Sequence, residues 1–249
     1  MGDLSYDGRS ASELRAAIGV PRVELFDAVT STLDVAHVLG AEGEPAGTLI
    51  LAEQQTAGRG RGGRRWASRP GSGIWLTMLE RPADPAVVEL LSIRLGLAAA
   101  AVLDRWSSGV VRLKWPNDLY TGGAKLAGIL VETRWRDQRL DWAALGLGIN
   151  VVVPEGVDRA AAALKPGSSR VEVLAALVPA LREAASRIGP LGGGELAAYA
   201  ARDLARGRRC SQPVSGVVQG IDAHGSLIVR TAAGDAPFRS GSLLLEEDT

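Results

Sequence analysis

Two apolar stretches on either side of a short charged turn decide how the chain is arranged. They are KLAGILVETRW, Lys125 to Trp135, and LDWAALGLGINVVV, Leu140 to Val153. Apolar runs separated by a tight polar turn are typical of an antiparallel hairpin. A Gly-Gly turn comes just before the first stretch, so the chain is expected to reverse there as well. The sequence therefore predicts a sheet in which neighbouring strands run antiparallel.

Upstream of this hairpin, short apolar runs alternate with helical segments. A Thr-Ser-Thr cap signal predicts a helix from Ser31 to Leu39, and the alanine- and leucine-rich segment from Pro85 to Trp106 predicts a long, largely buried helix. Three further runs have the length and composition of strands. They are GTLILAE (Gly47 to Glu53), GIWLTML (Gly73 to Leu79) and VVRLKW (Val110 to Trp115).

Downstream of the hairpin, the pattern changes to helices and then to a small all-β segment. Apolar residues at helical spacing predict helices from Arg170 to Ile188 and from Glu195 to Arg206. From Cys210 onward short strands and turns follow one another, which predicts roughly five strands in a small barrel. We therefore expect an α+β protein with a mixed, largely antiparallel sheet packed with helices, and with domains at 1–206 and 207–249.

The overall charge is balanced, with 28 Lys and Arg against 28 Asp and Glu residues. Proteins that coat nucleic acid or an anionic membrane usually have a basic surplus, so neither partner is expected. The N-terminal region has no apolar run of signal-peptide length, and no segment approaches 18 uninterrupted apolar residues without a charge or a glycine, which predicts a soluble cytoplasmic protein. One cysteine, Cys210, excludes an internal disulfide and, with two histidines, leaves few ligands for a structural metal.

The segment GRGRGGRRW, Gly58 to Trp66, has four glycines and four arginines and is named the arginine loop below. Glycine N–H groups can approach an anion where a Cβ would obstruct, and guanidinium groups bind phosphate or carboxylate in a bidentate way. The indole of Trp66 offers a flat apolar face for an adenine ring. In a chain without net charge, this local basicity predicts a site for one small anion, such as a nucleotide.

Other interpretations of the arginine loop fit its surroundings less well. Its letters match the dinucleotide-binding pattern G-x-G-x-x-G, but Pro70 and the loop-forming residues around it leave no helix to receive a pyrophosphate. TGGAKLAG, Thr121 to Gly128, lacks the spacing and the Ser or Thr of a Walker phosphate loop. An RG-rich nucleic-acid segment and a solvated loop without a role both remain open at this point.

Three further motifs combine polar groups with apolar strands. In KWPND, Lys114 to Asp118, the strand ends at Pro116 and a carboxylate is left on a turn at the sheet edge. KLAGIL, Lys125 to Leu130, begins an apolar strand with a lysine, although a surface-hairpin lysine is the commoner explanation of such a motif. GLGIN, Gly146 to Asn150, ends a buried strand with an amide that needs hydrogen-bond partners.

With these motifs in this order and at this spacing, the sequence resembles the biotin protein ligases. The arginine loop is similar to that family's GRGRxGRxW motif, and KWPND, KxxGIL and GxGIN match its other landmarks. Ser31, Thr32 and Gln55 fall where the family has its substrate-binding Ser-Thr pair and Gln. The resemblance covers roughly residues 25–155 and extends to the C-terminal segment. It implies a class II synthetase-like catalytic domain and a small SH3-like β-barrel.

The resemblance implies a ligase that works in two steps. Biotin and ATP form biotinyl-5′-adenylate and pyrophosphate, and a lysine of a biotin carboxyl carrier domain then takes the biotinyl group. ATP and Mg²⁺ are implied as co-substrates and biotin as substrate, with no tightly bound prosthetic group and no covalent enzyme nucleophile. Two alternatives stay open: a lipoate or octanoate ligase of the same fold, and a nucleotide-binding regulator without catalysis.

The resemblance also implies roles for individual residues. The catalytic residues would be Lys125, Arg59, Arg61 and Asp118. Biotin would contact Ser31, Thr32, Leu33, Gln55, Arg59, Gly60, Arg61, Lys125 and Gly128. ATP or the adenylate would contact Gly58, Arg61, Arg64, Trp66 and Asn150, and Asn150 is in addition a candidate ligand of Mg²⁺.

The chain also departs from the family pattern. Leu33 stands where many relatives have a polar side chain, which puts one biotin contact in question. About 30 residues precede Ser31, too few for the winged-helix DNA-binding domain of bifunctional relatives, so a ligase without repressor function is expected. Whether the protein is a monomer or a homodimer is left open by the sequence.

Overall fold

The computed structural model describes residues 4–157 and 160–246. The chain begins with two short strands, β1 (Ser5–Tyr6) and β2 (Arg9–Ser10), followed by helix α1 (Ala11–Ile18). The Ser10 hydroxyl accepts a hydrogen bond from the Glu13 N–H, while the Glu13 carboxylate accepts one from the Ser10 N–H. This capping box satisfies two N–H groups that would otherwise have no partner, and it fixes where the helix begins.

Seven strands form the main sheet in the order β3-β4-β5-β9-β8-β7-β6. Their bounds are Val23–Val29 (β3), Thr48–Gln55 (β4), Gly73–Glu80 (β5), Arg112–Lys114 (β6), Asp118–Thr121 (β7), Ala124–Arg136 (β8) and Arg139–Asn150 (β9). Among these strands only β3 and β4 pair in parallel. The predicted mixed, largely antiparallel sheet is confirmed, and so is the β8–β9 hairpin, in which Gly128 pairs with Gly148.

Helices cover both faces of the main sheet. Helix α2 (Thr32–Ala41) packs on β4, β5 and β9 over a small core made of Leu33, Ala36, Leu39, Ile50 and Ala144. Helices α3 (Val88–Leu103) and α4 (Arg170–Ser186) contribute to the larger core on the other face, and α5 (Gly193–Arg202) packs on α3. Neighbouring residues of β4 point to opposite faces, so Ile50 joins the small core while Leu49 and Leu51 join the larger one.

The long apolar segment predicted from Pro85 to Trp106 is helical throughout, because short 3₁₀ turns extend α3 at both ends. Its 22 residues are long and apolar enough to cross a membrane by length and composition, but 56% of its most apolar window is buried inside the protein. Helix α3 packs against α4 and against β6, β7 and β8. Its apolar composition is therefore that of a core helix.

Some boundaries differ from the sequence-based expectation. Strands β3 and β7 were not predicted, and the predicted strand Val110 to Trp115 is reduced to β6. Helix α5 ends at Arg202 rather than at Arg206, because the chain after it joins the edge of the sheet: the Leu204 N–H donates to the Leu113 carbonyl at 2.9 Å.

The C-terminal segment forms a second, five-stranded antiparallel sheet in the order β13-β12-β11-β10-β14. Its strands are β10 (Arg209–Gln212), β11 (Gly216–Ile221), β12 (Leu227–Thr231), β13 (Gly234–Phe238) and β14 (Leu244–Leu245). The Trp115 indole N–H donates to the Gly225 carbonyl in the β11–β12 turn at 3.0 Å. The second sheet therefore contacts the turn that follows β6. The predicted domain boundary at residue 207 falls in the turn before β10.

Candidate active site

A cavity of about 920 Å³ lies between the beginning of α2, the arginine loop and strands β4, β7, β8 and β9. All fourteen residues proposed for the site from sequence line it. They are Ser31, Thr32, Leu33, Gln55, Gly58, Arg59, Gly60, Arg61, Arg64, Trp66, Asp118, Lys125, Gly128 and Asn150. The fold thus brings together residues that are up to 119 positions apart, from 31 to 150, while their individual roles stay predictions.

At one end of the cavity, buried polar groups are bonded to one another. The side-chain oxygen of Gln55 accepts hydrogen bonds from the Ser31 hydroxyl at 3.2 Å, from the Thr32 N–H at 2.9 Å and from the Thr32 hydroxyl at 3.2 Å. The Thr77 hydroxyl donates to the Thr32 hydroxyl at 2.8 Å. Ser31, Thr32, Gln55 and Thr77 form a connected group, named the polar ring below.

Ser31 is also the N-cap residue of α2. Its hydroxyl accepts a hydrogen bond from the Leu33 N–H at 3.3 Å, as N-cap serines commonly do. The positive end of the helix dipole therefore points at the cavity next to the polar ring. Leu33 itself is buried, and a Cβ added at Gly146 would lie 3.2 Å from its side chain, so Leu33 packs on β9 as a core residue.

The arginine loop is folded back on itself. The Gly60 N–H donates to the Arg64 carbonyl at 2.7 Å, and the Trp66 N–H donates to the Gly58 carbonyl at 2.9 Å. At the tip, Gly62 and Gly63 have φ angles of +66° and +73°, which L residues other than glycine rarely adopt. The N–H of Gly60 is thus used inside the loop, and in this arrangement it does not point at an anion as the sequence suggested.

All four arginines of the loop line the cavity, and two of them, Arg59 and Arg61, have different surroundings. The Arg59 guanidinium donates to Glu132 at 3.1 and 3.2 Å and to Asp34 at 2.5 Å. Partial burial opposes its charge, but the hydrogen bonds that it donates to these two carboxylates raise the pKa of Arg59. Burial lowers the pKa of Arg61, with attraction to Asp118 opposing it. Both groups remain cations at neutral pH because guanidinium pKa values lie far above it.

Lys125 and Asp118 form an ion pair at the other end of the cavity, with 2.7 Å between Nζ and the carboxylate. Both side chains are mostly buried, at 17% and 15% exposure. Asn117 holds the turn that presents Asp118, since its side-chain amide donates to the Ile129 carbonyl at 2.6 Å and its carbonyl accepts from the Ile129 N–H at 2.9 Å. The KWPND turn is thereby tied to β8, which contains Lys125.

The Trp66 indole lies over the glycines of the central hairpin. A Cβ added at Gly128 would lie 2.9 Å from the ring, and one added at Gly148 would lie 2.7 Å from it. The Lys125 ammonium lies 5.1 Å from the ring centroid, a distance at which a cation is attracted to the π face. Within the described residues, the buried indole nitrogen of Trp66 has no hydrogen-bond partner. The glycines of KLAGIL and GLGIN are therefore required for this ring to approach the sheet.

Asn150 is held in place through its amide nitrogen. It is 5% exposed, and this nitrogen donates to the carbonyls of Ala162 at 2.9 Å and Lys125 at 3.3 Å. These bonds fix the segment that follows β9 against β8 and leave the amide oxygen, the atom that would bind a metal, outside them. Within residues 4–157 and 160–246, no group of three or more His, Cys, Asp or Glu side chains could hold a metal ion.

Sequence reasoning missed two residues that shape the cavity. Thr77 is the polar residue inside the apolar run GIWLTML, and a hydroxyl in such a run requires a buried partner. Glu132 lies four residues after Gly128 on the same strand, which places both on one face of the sheet. Asp34 was considered only as a capping residue near the start of α2, whereas the structure places it against Arg59.

Comparison with known proteins identifies the family. Residues 25–150 match the Biotin/lipoate A/B protein ligase family, and residues 206–246 match the Biotin protein ligase C terminal domain. The chain is 37% identical over 204 residues to the biotin-(acetyl-CoA-carboxylase) ligase of Mycobacterium tuberculosis, a match that covers 73% of this chain and 72% of that protein. The chain belongs to the biotin protein ligase family.

Two further comparisons define how far this likeness extends. The bifunctional ligase/repressor BirA of Bacillus spizizenii is 37% identical over 132 residues, which is 50% of this chain but 39% of that protein, so the chain spans about two-fifths of that relative's length. The structure of the biotin protein ligase of Aquifex aeolicus in complex with biotin and ATP superposes with a TM-score of 0.75 at 25% identity, over 91% of this chain and 99% of that one. The fold expected from the sequence is thus the fold of a ligase in this family.

Proposed function

We propose that the chain is an ATP-dependent biotin protein ligase. It would join biotin, through biotinyl-5′-AMP, to a lysine of a biotin carboxyl carrier domain in an acetyl-CoA carboxylase. The observation that supports this best is that one cavity has a neutral polar ring at one end and Arg61, Lys125 and Asp118 at the other. Such a cavity suits a substrate with an uncharged polar head and an anionic tail.

The first step is the attack of the biotin carboxylate on the α-phosphate of ATP. Two anions must come together, so the site has to supply cations and aligned donors more than a base. In the proposal, Arg61 and Lys125 supply the positive charge, and Gly58, Arg64 and Trp66 contact the nucleotide. Biotin lies with its ureido group at the polar ring and its tail along the apolar strand around Gly128. Arg59 and Gly60 form the wall of the loop.

The second step transfers the biotinyl group to the amine of an acceptor lysine, which must be deprotonated to attack. We assign Asp118 to this step, because its carboxylate lies beside Lys125 and is held by the turn that Asn117 ties to β8. The carboxylate orients the Lys125 ammonium and can accept a hydrogen bond from the incoming amine. No covalent enzyme nucleophile is required, and Cys210 is buried in the second sheet.

Mg²⁺ belongs to the proposal as a companion of ATP. Magnesium in such enzymes keeps several waters and is held largely by the substrate phosphates. Asn150 could add its amide oxygen to the ligands of such an ion, because its hydrogen bonds to the carbonyls of Lys125 and Ala162 use only the amide nitrogen. We further propose that the protein acts in the cytoplasm as an enzyme without a nucleic-acid partner, since its charges balance and the four arginines of the arginine loop line the cavity.

Pyrophosphate release from ATP and Mg²⁺ tests the first step, measured with biotin, with lipoate and with neither. We expect release only with biotin, followed by transfer of labelled biotin to a carrier domain, and no transfer to the same domain with its acceptor lysine replaced by arginine. Release with lipoate but not with biotin would assign the chain to the lipoate ligases. No release with either compound would contradict the ligase proposal altogether.

A further inference from the structure

The Arg59 guanidinium makes three hydrogen bonds to protein carboxylates, although the family resemblance implies that it binds the substrate. Its Nε and one Nη donate to the two oxygens of Glu132 at 3.2 and 3.1 Å, and its other Nη donates to Asp34 at 2.5 Å. Three of the five N–H donors of the guanidinium are thus in use, and Glu132 occupies the edge formed by Nε and one Nη. A substrate anion could replace these bonds only by displacing one of the two protein carboxylates.

The two carboxylates are themselves held by neighbours. Asp34 accepts a hydrogen bond from the Thr30 hydroxyl at 2.8 Å. Glu132 also contacts His37, with 3.0 Å between its carboxylate and the ring nitrogen Nε2, and the Trp142 indole N–H donates to Nδ1 of the same ring at 3.0 Å. Because the indole N–H can only donate, Nδ1 accepts that bond, and Nε2 is the ring nitrogen that faces Glu132. The Arg59 contacts are therefore part of a continuous network.

The charges of this network disfavour direct binding of an anion by Arg59. One guanidinium faces two carboxylates, so the charges of Arg59, Asp34 and Glu132 sum to −1. The biotin carboxylate or an ATP phosphate would be repelled by this group. Arg61 has the opposite character, because burial lowers its pKa while the two carboxylates raise that of Arg59. Arg61 donates to an uncharged acceptor, the Gly241 carbonyl, at 3.4 Å, and within the described residues it has no salt bridge. Of these two arginines it is therefore the one whose charge is not paired with a carboxylate.

The network also joins three parts of the cavity. Asp34 lies in the first turn of α2, whose N-cap is Ser31 of the polar ring. Glu132 lies on β8, the strand that contains Lys125. Arg59 is two residues before Arg61 on the loop between them. A change in either carboxylate would therefore alter how the arginine loop lies between α2 and β8.

We propose that Asp34 and Glu132 are positioning residues that fasten the arginine loop through Arg59, and that the Arg59 guanidinium does not bind the substrate anion. They hold Arg61 at a fixed place relative to the polar ring and Lys125. This inference rests on the proposed ligase function, which it refines by separating the two arginines. It reassigns the role that the family resemblance implied for Arg59.

A double-mutant cycle separates positioning from direct contact. Glu132→Gln keeps the shape of the side chain but removes its charge, and Arg59→Gln removes the guanidinium. If Arg59 acts through Glu132, each single variant should lower kcat/KM for biotin by about tenfold. The double variant should then be no worse than either single variant, because each single variant already removes the Arg59–Glu132 interaction. If Arg59 bound the substrate directly, Arg59→Gln would be far more damaging than Glu132→Gln and the two effects would multiply. That result would overturn the inference.

A measurement without biotin or ATP keeps this inference independent of the ligase activity. The loop contains four arginines in an exposed segment, so trypsin cleavage within it reports how often the loop opens. Glu132→Gln and Asp34→Asn are expected to speed cleavage several-fold at an unchanged midpoint of global unfolding. Asp34 is 42% exposed at its side chain, so its variant is not expected to disturb the core. Cleavage at the wild-type rate in both variants would refute the inference that Asp34 and Glu132 hold the arginine loop in place.

Asp235→Asn is the matched control for these variants. Asp235 binds Arg230 through the same two-bond geometry, at 2.9 and 3.1 Å, but on the second sheet. It should change neither loop cleavage nor biotin-dependent pyrophosphate release. Suppose that the wild-type protein released no pyrophosphate with biotin, while Glu132→Gln still increased the rate of trypsin cleavage in the loop. The ligase proposal would then be wrong, but the positioning role of Glu132 would be supported.

Discussion

At the end of the cavity next to α2, the polar side chains are buried, uncharged and bonded to one another. At the end next to β7, the side chains are charged, and Asp118 on β7 forms an ion pair with Lys125 on β8. Within the polar ring, the side-chain oxygen of Gln55 accepts three hydrogen bonds and the Thr32 hydroxyl accepts a fourth from Thr77. The charged end holds Arg61, Arg64 and the Lys125–Asp118 pair around open space.

This difference indicates what each end contributes to the proposed reaction. A ring of fixed neutral groups selects a substrate by shape and hydrogen bonding. The conformational entropy of these side chains is lost during folding and not when the substrate binds. A cluster of cations in a partly desolvated cavity stabilises negative charge that develops during the reaction. Changes at the charged end should therefore reduce the rate, whereas changes at the polar ring should reduce the affinity for biotin. Three substitutions examine this division.

The largest effect is expected for Lys125→Met. The substitution removes a positive charge at the proposed reacting centre and leaves the Asp118 carboxylate, 2.7 Å away in the native pair, without its partner. We expect kcat for pyrophosphate release to fall by about 100- to 1,000-fold, the usual cost of losing one stabilising group. Biotin affinity, measured by titration calorimetry, should change much less.

Lys165→Met is a suitable control for that experiment. Lys165 is exposed, donates to the Arg105 carbonyl at 3.1 Å and lies outside the cavity. Its variant should retain wild-type kcat. If Lys125→Met instead weakened biotin binding and left kcat unchanged, the charged end would be a binding site only, and the division between the two ends would be wrong.

An intermediate effect is expected for Gly148→Ala, because Trp66 lies between the two ends. The new methyl group would lie 2.7 Å from the indole, so the ring must move away from the sheet. Overpacking of this kind costs about 1–3 kcal/mol, and biotin affinity should fall by about tenfold or more. Calorimetric titration with biotin measures it. Gly193→Ala, at the start of α5 with no atom within 4 Å of the added methyl, should bind biotin like the wild type.

The sequence predicted the strands that contain the site well, because their apolar runs are long and their turns are marked by glycine, proline and charge. It predicted the site residues through motifs, and the sheet then brought all of them to one cavity. The sequence could not assign different roles to Arg59 and Arg61, since both are arginines of the same loop. Their roles differ because Arg59 binds Glu132, a residue 73 positions away in the chain. Similarly, the amide of Asn150 was predicted to need partners, but those partners are backbone carbonyls that only the folded chain supplies.

Strands β3 and β7 were missed for different physical reasons. Strand β3, with the sequence VELFDAV, mixes charged and apolar residues, and it is an edge strand whose exposed residues face solvent. Strand β7 has four residues directly after the KWPND turn, too few for a periodic signal. Its existence matters to the site, because its pairing with β8 places Asp118 opposite Gly128 and near Lys125.

The smallest effect is expected for Thr77→Val, which has nearly the same shape but no hydroxyl. It removes the donor to Thr32 at the buried end of the polar ring, at a cost of about 1 kcal/mol, so biotin affinity should fall by about fivefold and kcat should be retained. Ser107→Ala is the matched control, since Ser107 also donates to a buried threonine, Thr121, at 2.8 Å. Both variants should lower the midpoint of thermal unfolding to a similar extent, but only Thr77→Val should weaken biotin binding. Equal affinity in the two variants would mean that the polar ring supports the fold and does not select the substrate.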